Sequence, residues 1–424
     1  MTMNDTSVPV SGESSIKFDG KPRDFFNLLW RGSWLSLVTL GVYRFWMITQ
    51  LRQHLWAHSG VGRDKVEYTG RGIELFFGFL LAIAILWPIY ILLFVLNLLI
   101  VKEENGDIRH YYNVIQSIVE IVLLVMFYFF GQFAIFKARR YRLTRTLWRG
   151  VRFWMSGSAW RYMLLALAWD IAVGLTLGLA HPWREAALER YKMSNTLYGD
   201  LRGDFVARPW DFFKRGLWIW IVAVIPFALG LILIGESVAE KHLHPDSKAP
   251  GFAQGVLGIL ILLGLALSPF LYAAYKRIEM VWWINGLRIG EVRFSADREK
   301  IRFAGLYWAA LGSYFLTLFV FGIILGLGVA FFKGLPLALT PAAGGGHGGL
   351  PVLVGGGLMV LLYGTMLVAM AIVYRWFLQR GYWSIVANAA RVENLGAADH
   401  VTAMGSPSSA LGEGLAAMLD VSGF

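Results

Sequence analysis

The sequence predicts an all-α, polytopic membrane protein, and three observations carry that prediction. Hydrophobic residues make up 57% of the 424-residue chain, and charged residues only 16%, against about 25% charged in a soluble domain. Mean hydropathy is +0.54. The apolar residues gather into runs long enough to span a bilayer, which takes about 20 residues. A soluble core cannot absorb this excess without exposing large apolar patches. The composition therefore excludes a soluble enzyme, a disordered regulator and a secreted disulfide scaffold.

The elements follow in order. Six runs are long enough to span: Leu75–Val101, Tyr111–Phe136, Gly216–Gly235, Phe252–Tyr275, Phe303–Phe332 and Leu350–Tyr374. Two weaker segments remain. Ser33–Tyr43 is short and pinned between Arg31 and Arg44, and Tyr162–Ala180 carries Asp170. The basic residues concentrate in Arg44–Arg71, Lys137–Arg152, Arg184–Arg215 and Lys276–Arg302. The positive-inside rule places such stretches on the cytoplasmic side. All of them fall there if the six runs form three spanning hairpins and the two weak segments only dip into the bilayer as re-entrant or interfacial segments. Both termini are then cytoplasmic. The competing arrangement makes both weak segments true spans and folds Leu75–Val101 back at Pro88.

An internal repeat is visible. Thr39-Leu40-Gly41 followed by Trp46 recurs as Thr176-Leu177-Gly178 followed by Trp183, at an offset that is the same for both landmarks. A degraded third copy runs through Trp282-Trp283 and Asn285-Gly286-Leu287. Each copy ends in a short β-prone stretch near Tyr68, Phe205 or Phe294. The expected organisation is an N-terminal tail over 1–15, repeats over 16–136, 137–275 and 276–394, and a flexible Gly/Ala/Ser-rich tail over 395–424.

The chain contains no cysteine, so thiol nucleophiles, disulfides and Cys-ligated metal or iron–sulfur sites are excluded. The net charge of +11 suits anionic lipid rather than nucleic acid. No apolar h-region opens the chain, so a cleaved signal peptide is not expected. His-Glu-x-x-His, Walker A and Gly-x-Ser-x-Gly motifs are all absent. Neither an enzyme, a cofactor nor a metal is expected; His242-Leu243-His244-Pro245-Asp246 is a weak metal signal. Glu120 lies about ten residues into a span, where a carboxylate is costly, and Asp170 lies mid-segment. Both are candidate ligand or ion groups. Arg139, Arg140, Arg142, Arg149 and Arg152, interleaved with aromatics, are candidate lipid-headgroup contacts, each worth about 1 kcal/mol near an anionic surface. Gly174-x-x-x-Gly178 and Gly322-x-x-x-Gly326 suggest close helix packing.

Phe18-Asp19-Gly20, Thr39 through Trp46, Glu67-Tyr68-Thr69-Gly70 and the later Thr176 through Trp183 together resemble the YjgN family of bacterial inner-membrane proteins, best over residues 16–300. That resemblance implies a multi-pass protein of unknown function in the bacterial inner (cytoplasmic) membrane, with no catalytic residue to carry over and a membrane-linked zinc metallopeptidase as a possible neighbour. The expected function is binding or moving a small amphipathic or anionic molecule such as lipid. The alternative is a scaffold or adaptor for a partner such as that protease. A transporter should contain a polar cavity around Glu120 between hairpins; a scaffold should have a dry core and a large exposed apolar patch.

Overall fold

The structure is a computed structural model that describes residues 14–101, 108–243, 251–339, 349–406 and 408. Five strand–helix–helix–strand units follow one another along it. The first is β1 (Ser14–Phe18), α1 (Pro22–Val38), α2 (Arg44–Ala57) and β2 (Ser59–Val61). The second is β3 (Asp64–Tyr68), α3 (Gly72–Val101), α4 (Ile108–Thr144) and β4 (Thr146–Trp148). The third is β5 (Val151–Met155), α5 (Ala159–Leu175), α6 (His181–Ser194) and β6 (Thr196–Tyr198). The fourth is β7 (Leu201–Phe205), α7 (Pro209–Leu243), α8 (Gly251–Gly286) and β8 (Leu287–Ile289). The fifth is β9 (Val292–Ala296), α9 (Ala304–Leu339), α10 (Gly349–Val373), a π-helical segment (Tyr374–Gly381), α11 (Tyr382–Ala389) and β10 (Ala390–Glu393).

The ten strands close into one antiparallel barrel in chain order, sealed where Ser14 pairs with Val392 in β1 and β10. This corrects the all-α expectation, since the hairpins, three with long apolar helices and two short ones, rise from a β-barrel. The physical reason is length. Each strand has only three to five residues, too few for alternation to stand out from the surrounding charges. The pairing partners of β1 lie at both ends of the chain, where no local pattern reports them. What read as basic loops are helix ends joined to strands. Arg152 pairs with Leu147, Arg202 with Leu197, and Arg288 with Arg293.

All helices leave one rim of the barrel, and the strand-to-strand turns form the other. The turn between Trp148 and Val151 has two residues, both at positive φ: Arg149 at 48° and Gly150 at 75°. That is the geometry which matches strand twist in a tight hairpin. The bore is filled rather than open. Trp148, Tyr198, Val292 and Val392 are buried there against Ile16, Val66 and Phe294. Leu395, Ala398 and Val401, from the stretch expected to be a loose tail, join that cluster. Thr402 N donates to Asp200 at 3.1 Å and Arg149 binds Asp399 at 2.6 Å. This segment therefore packs onto the turn end; residues 409–424 lie outside the described residues.

The hairpins come in two lengths. Units one and three are short, each arm having 14 or 17 residues. In unit one, Phe25 and Leu29 of α1 meet Met47, Leu51 and Leu55 of α2, all buried, each such side chain contributing about 1.5–3 kcal/mol. Gly32 makes the contact possible, because a Cβ there would lie 2.5 Å from Met47 Cγ. At the two Gly-x-x-x-Gly motifs the finding differs. A Cβ on Gly174, Gly322 or Gly326 would meet nothing within 4 Å. Those glycines do not mark close helix contacts.

Units two, four and five are long, and six described helices are long and apolar enough to cross a membrane. Their outer faces carry side chains such as Leu124, Phe319 and Leu327, each at least 67% exposed. A helix apolar on its exposed face needs a non-aqueous neighbour. The weak segment Ser33–Tyr43 is the end of α1 and the turn that leads into α2. Tyr162–Ala180 is most of α5 and its turn. The expected repeat boundaries at 136/137 and 275/276 fall inside α4 and α8.

Candidate binding cavity

A cavity of about 850 Å³ opens where the helices leave the barrel rim. Its size lies within the range of small-molecule pockets, roughly 300–1,000 Å³. The second arm of every hairpin contributes to it: Trp56 of α2, Arg139 of α4, Glu189 of α6, Lys276 of α8 and Tyr382 of α11. Ile16, Val61, Val66 and Phe294 from the barrel form an apolar floor.

One wall is charged. Glu185, Glu189 and Lys192 fall on one face of α6, at spacings of four and three, and Tyr272, Lys276 and Glu279 repeat that spacing on α8. Helical geometry points each trio one way. Glu189 is only 6% exposed. Lys192 Nζ contacts one of its oxygens, and Arg139 Nη1 lies 3.4 Å from the other. Burial pushes the Glu189 carboxyl up, but Lys192 and Arg139 outweigh it and hold the group below the usual carboxylate value. Lys276 and Glu279 pair at 2.6 Å. Glu185 pairs with Arg184 at 2.5 Å. The carboxylates are therefore compensated from within the wall, as buried charges must be.

Behind this wall the network continues. Arg184 Nε donates to Asp170 Oδ1 at 2.5 Å, and Tyr128 donates its hydroxyl hydrogen to Asp170 Oδ2 at 2.5 Å. His181 lies 3.6 Å from Glu185, and its Nδ1 shares a 2.7 Å hydrogen bond with the Tyr275 hydroxyl. Burial holds the His181 imidazole below its ordinary pKa despite Glu185. The rest of the lining is rich in aromatic rings. Tyr272 and Tyr307 meet edge to face at 5.0 Å, and Trp56 stacks on Trp383 at 4.5 Å.

The sequence candidates sort against this geometry. Asp170 anchors the charged network from behind the cavity. Arg139 lines the cavity itself. Arg140 donates to the carbonyls of Ser156, at 2.7 Å, and Gly157. Arg142 Nε reaches Ala138 O at 3.3 Å, and Arg152 donates to Thr144 O. Arg149 binds Asp64 and Asp399 and lies over the Trp148 ring. Glu120 sits on an exposed face of α4 and does not line the cavity. The run His242–Asp246 lies outside the residues whose side chains are described. Among the described residues, no three His, Asp or Glu side chains gather as a metal set would.

Sequence reasoning missed Glu185, Glu189, Lys192, Lys276 and Glu279. The signal was present: charges at spacings of three and four on segments that otherwise read as plain basic linkers.

The architecture defines a class: a barrel of short strands carrying helical hairpins, six of whose helices can cross a membrane. A profile described as "Bacterial protein of unknown function (DUF898)" covers residues 13–418, and the chain belongs to that family. No curated protein and no solved structure matches the chain significantly.

Proposed function

We propose that this is an integral membrane protein, without enzymatic activity, that binds and moves a small amphipathic molecule such as a lipid through the cavity at the barrel rim. The observation that carries the reading is the cavity's make-up. Paired charges and aromatic rings share its lining above an apolar floor, which suits a molecule with a polar head and an apolar body. The sequence places such a cavity around Glu120; the charged groups of this one come from α4, α6 and α8 instead, and Glu120 is not among them. The resemblance of the motifs to the YjgN proteins supports a location in the bacterial inner membrane. The arginines of the strands support a cytoplasmic barrel with both termini on that side.

The test is retention of lipid. Ala387 lines the cavity, and Ala387→Trp should fill part of it. Protein purified in neutral detergent should carry lipid detectable by native mass spectrometry. Ala387→Trp should lose it while keeping its thermal midpoint. Equal retention by both proteins would count against the reading.

A further inference from the structure

Outside the central cavity, a second hollow of about 650 Å³ runs along the flank of α4 and the start of α5. It is lined by apolar side chains alone, among them Val125, Phe129 and Phe133 of α4 and Trp160 and Leu164 of α5. The α4 part lies within a candidate span, Ser117–Thr144. Phe133 and Trp160 meet at 5.8 Å between ring centroids. One turn further along the same face, Lys137 Nζ sits 5.5 Å from the Phe133 ring centroid. Arg140 follows at the next position on that face, its guanidinium over the Phe136 ring at 5.4 Å. Arg140 Nη2 serves two carbonyls of the β5–α5 connection, but its Nε is buried with no hydrogen-bond partner.

Neither cation is paired with a carboxylate among the described residues. Four other cations near the barrel rim have one: Arg139 has Glu189, Arg145 has Glu74, Arg184 has Asp170, and Lys276 has Glu279; Arg380, like Arg140, has a buried Nε with no hydrogen-bond partner. Half-buried cations without an acid call for an anion from outside the chain. An apolar groove of bilayer-facing residues ending in two such cations has the amphipathic form of a phospholipid.

We propose that this flank is a binding site for an anionic phospholipid, with one acyl chain along the α4–α5 groove and the phosphate at Lys137 and Arg140. The site rests on the reading that α4 lies in a bilayer, but it is separate from the central cavity and has its own lining.

The experiment uses the full chain in neutral detergent, offered phosphatidylglycerol and phosphatidylcholine of identical chains, with retained lipid read by native mass spectrometry. Two cations at a low-dielectric foot should favour phosphatidylglycerol by about tenfold. Lys137→Gln, which removes a charge whose contact with the chain is the Phe133 ring, should bring the two lipids close to parity. Val125→Trp should reduce retention of both by filling the groove. Ala387→Trp should leave the preference intact, because it alters only the central cavity. An unchanged preference in Lys137→Gln would overturn the proposal. Loss of the preference in Ala387→Trp alone would move it to the central cavity and overturn this site. If the wild-type chain retains neither lipid, both this site and the cavity reading fail.

Discussion

The hairpins α1–α2 and α5–α6 are one backbone solution with two interiors. Their turns superpose in detail: Leu40 and Leu177 both have φ of 50°, and the glycines that follow have φ of 90° and 94°. Thr39 Oγ1 donates to Leu35 O and accepts from Tyr43 N; Thr176 Oγ1 donates to Ala172 O and accepts from Ala180 N. Between the arms they diverge. Where α1–α2 places Ser33 against Met47 at 3.7 Å, α5–α6 places Asp170 against Arg184 at 2.5 Å. The turn thus sets the hairpin without reference to its interior. The interior of the third unit is free to carry a polar network that ends in the cavity wall at Glu185.

The strongest way to break this comparison is to convert one interior into the other. Arg184→Met leaves Asp170 and Glu185 without their cation. Removing one partner of a fully buried pair costs 3–5 kcal/mol. With Asp170 still 29% exposed and Arg184 18%, the loss should be nearer about 2 kcal/mol, read as a lower thermal midpoint in detergent. The double change Asp170→Ser with Arg184→Met imports the pair of unit one and should recover most of that loss. A double variant as unstable as the single one would show that the two interiors are not interchangeable.

A smaller effect is expected at the turns. Gly41→Ala and Gly178→Ala each force a Cβ into the left-handed region and should cost about 1 kcal/mol. The costs should be nearly equal, because a Cβ meets nothing at Gly41 and only ordinary contact with Trp220 at Gly178. Unequal midpoint shifts would mean that Trp220, whose Nε1 donates to Leu177 O at 2.8 Å, makes the second turn more than a copy of the first.

Acid should separate the hairpins least. Each carries a histidine, His54 or His181, held below its ordinary pKa of 6.5 chiefly by burial. The unfolded chain then binds protons more readily than the folded one, so stability present above pH 6.5 is lost as pH falls below it. Midpoints measured at about pH 7.5 and about pH 5.5 should differ in the wild type, and less so in His54→Gln and in His181→Gln. A pH response unchanged in both variants would assign it to other groups.

Much of the helical layer was legible in the sequence, because runs of 20 or more apolar residues admit few readings. All six long runs are helices, and the Thr-Leu-Gly offset led straight to the two matching turns. The β-prone stretches near Tyr68, Phe205 and Phe294 are the ends of β3 and β7 and the middle of β9. Their closure into a barrel was not legible, since it depends on ten short strands meeting across the whole chain. The site was less legible than the fold. Asp170 drew attention because a carboxylate in an apolar run is conspicuous. Glu189 did not, because it stands among Arg184, Arg190 and Lys192 and only the packed structure shows it buried between two cations. Of the five arginines read as headgroup contacts, Arg139 lines the cavity, Arg140 stands at the foot of the α4–α5 groove, Arg142 reaches back to Ala138 O on its own helix, and Arg149 and Arg152 hold the barrel.

The central claim is that the cavity at the barrel rim receives an amphipathic molecule, and a high-resolution map of the protein in a lipid nanodisc tests it most directly. The account predicts elongated density with its head against Lys276, Glu279 and Glu189 and its body along Tyr307 and Tyr382. A cavity closed by its own side chains, or occupied by discrete water alone, would contradict it.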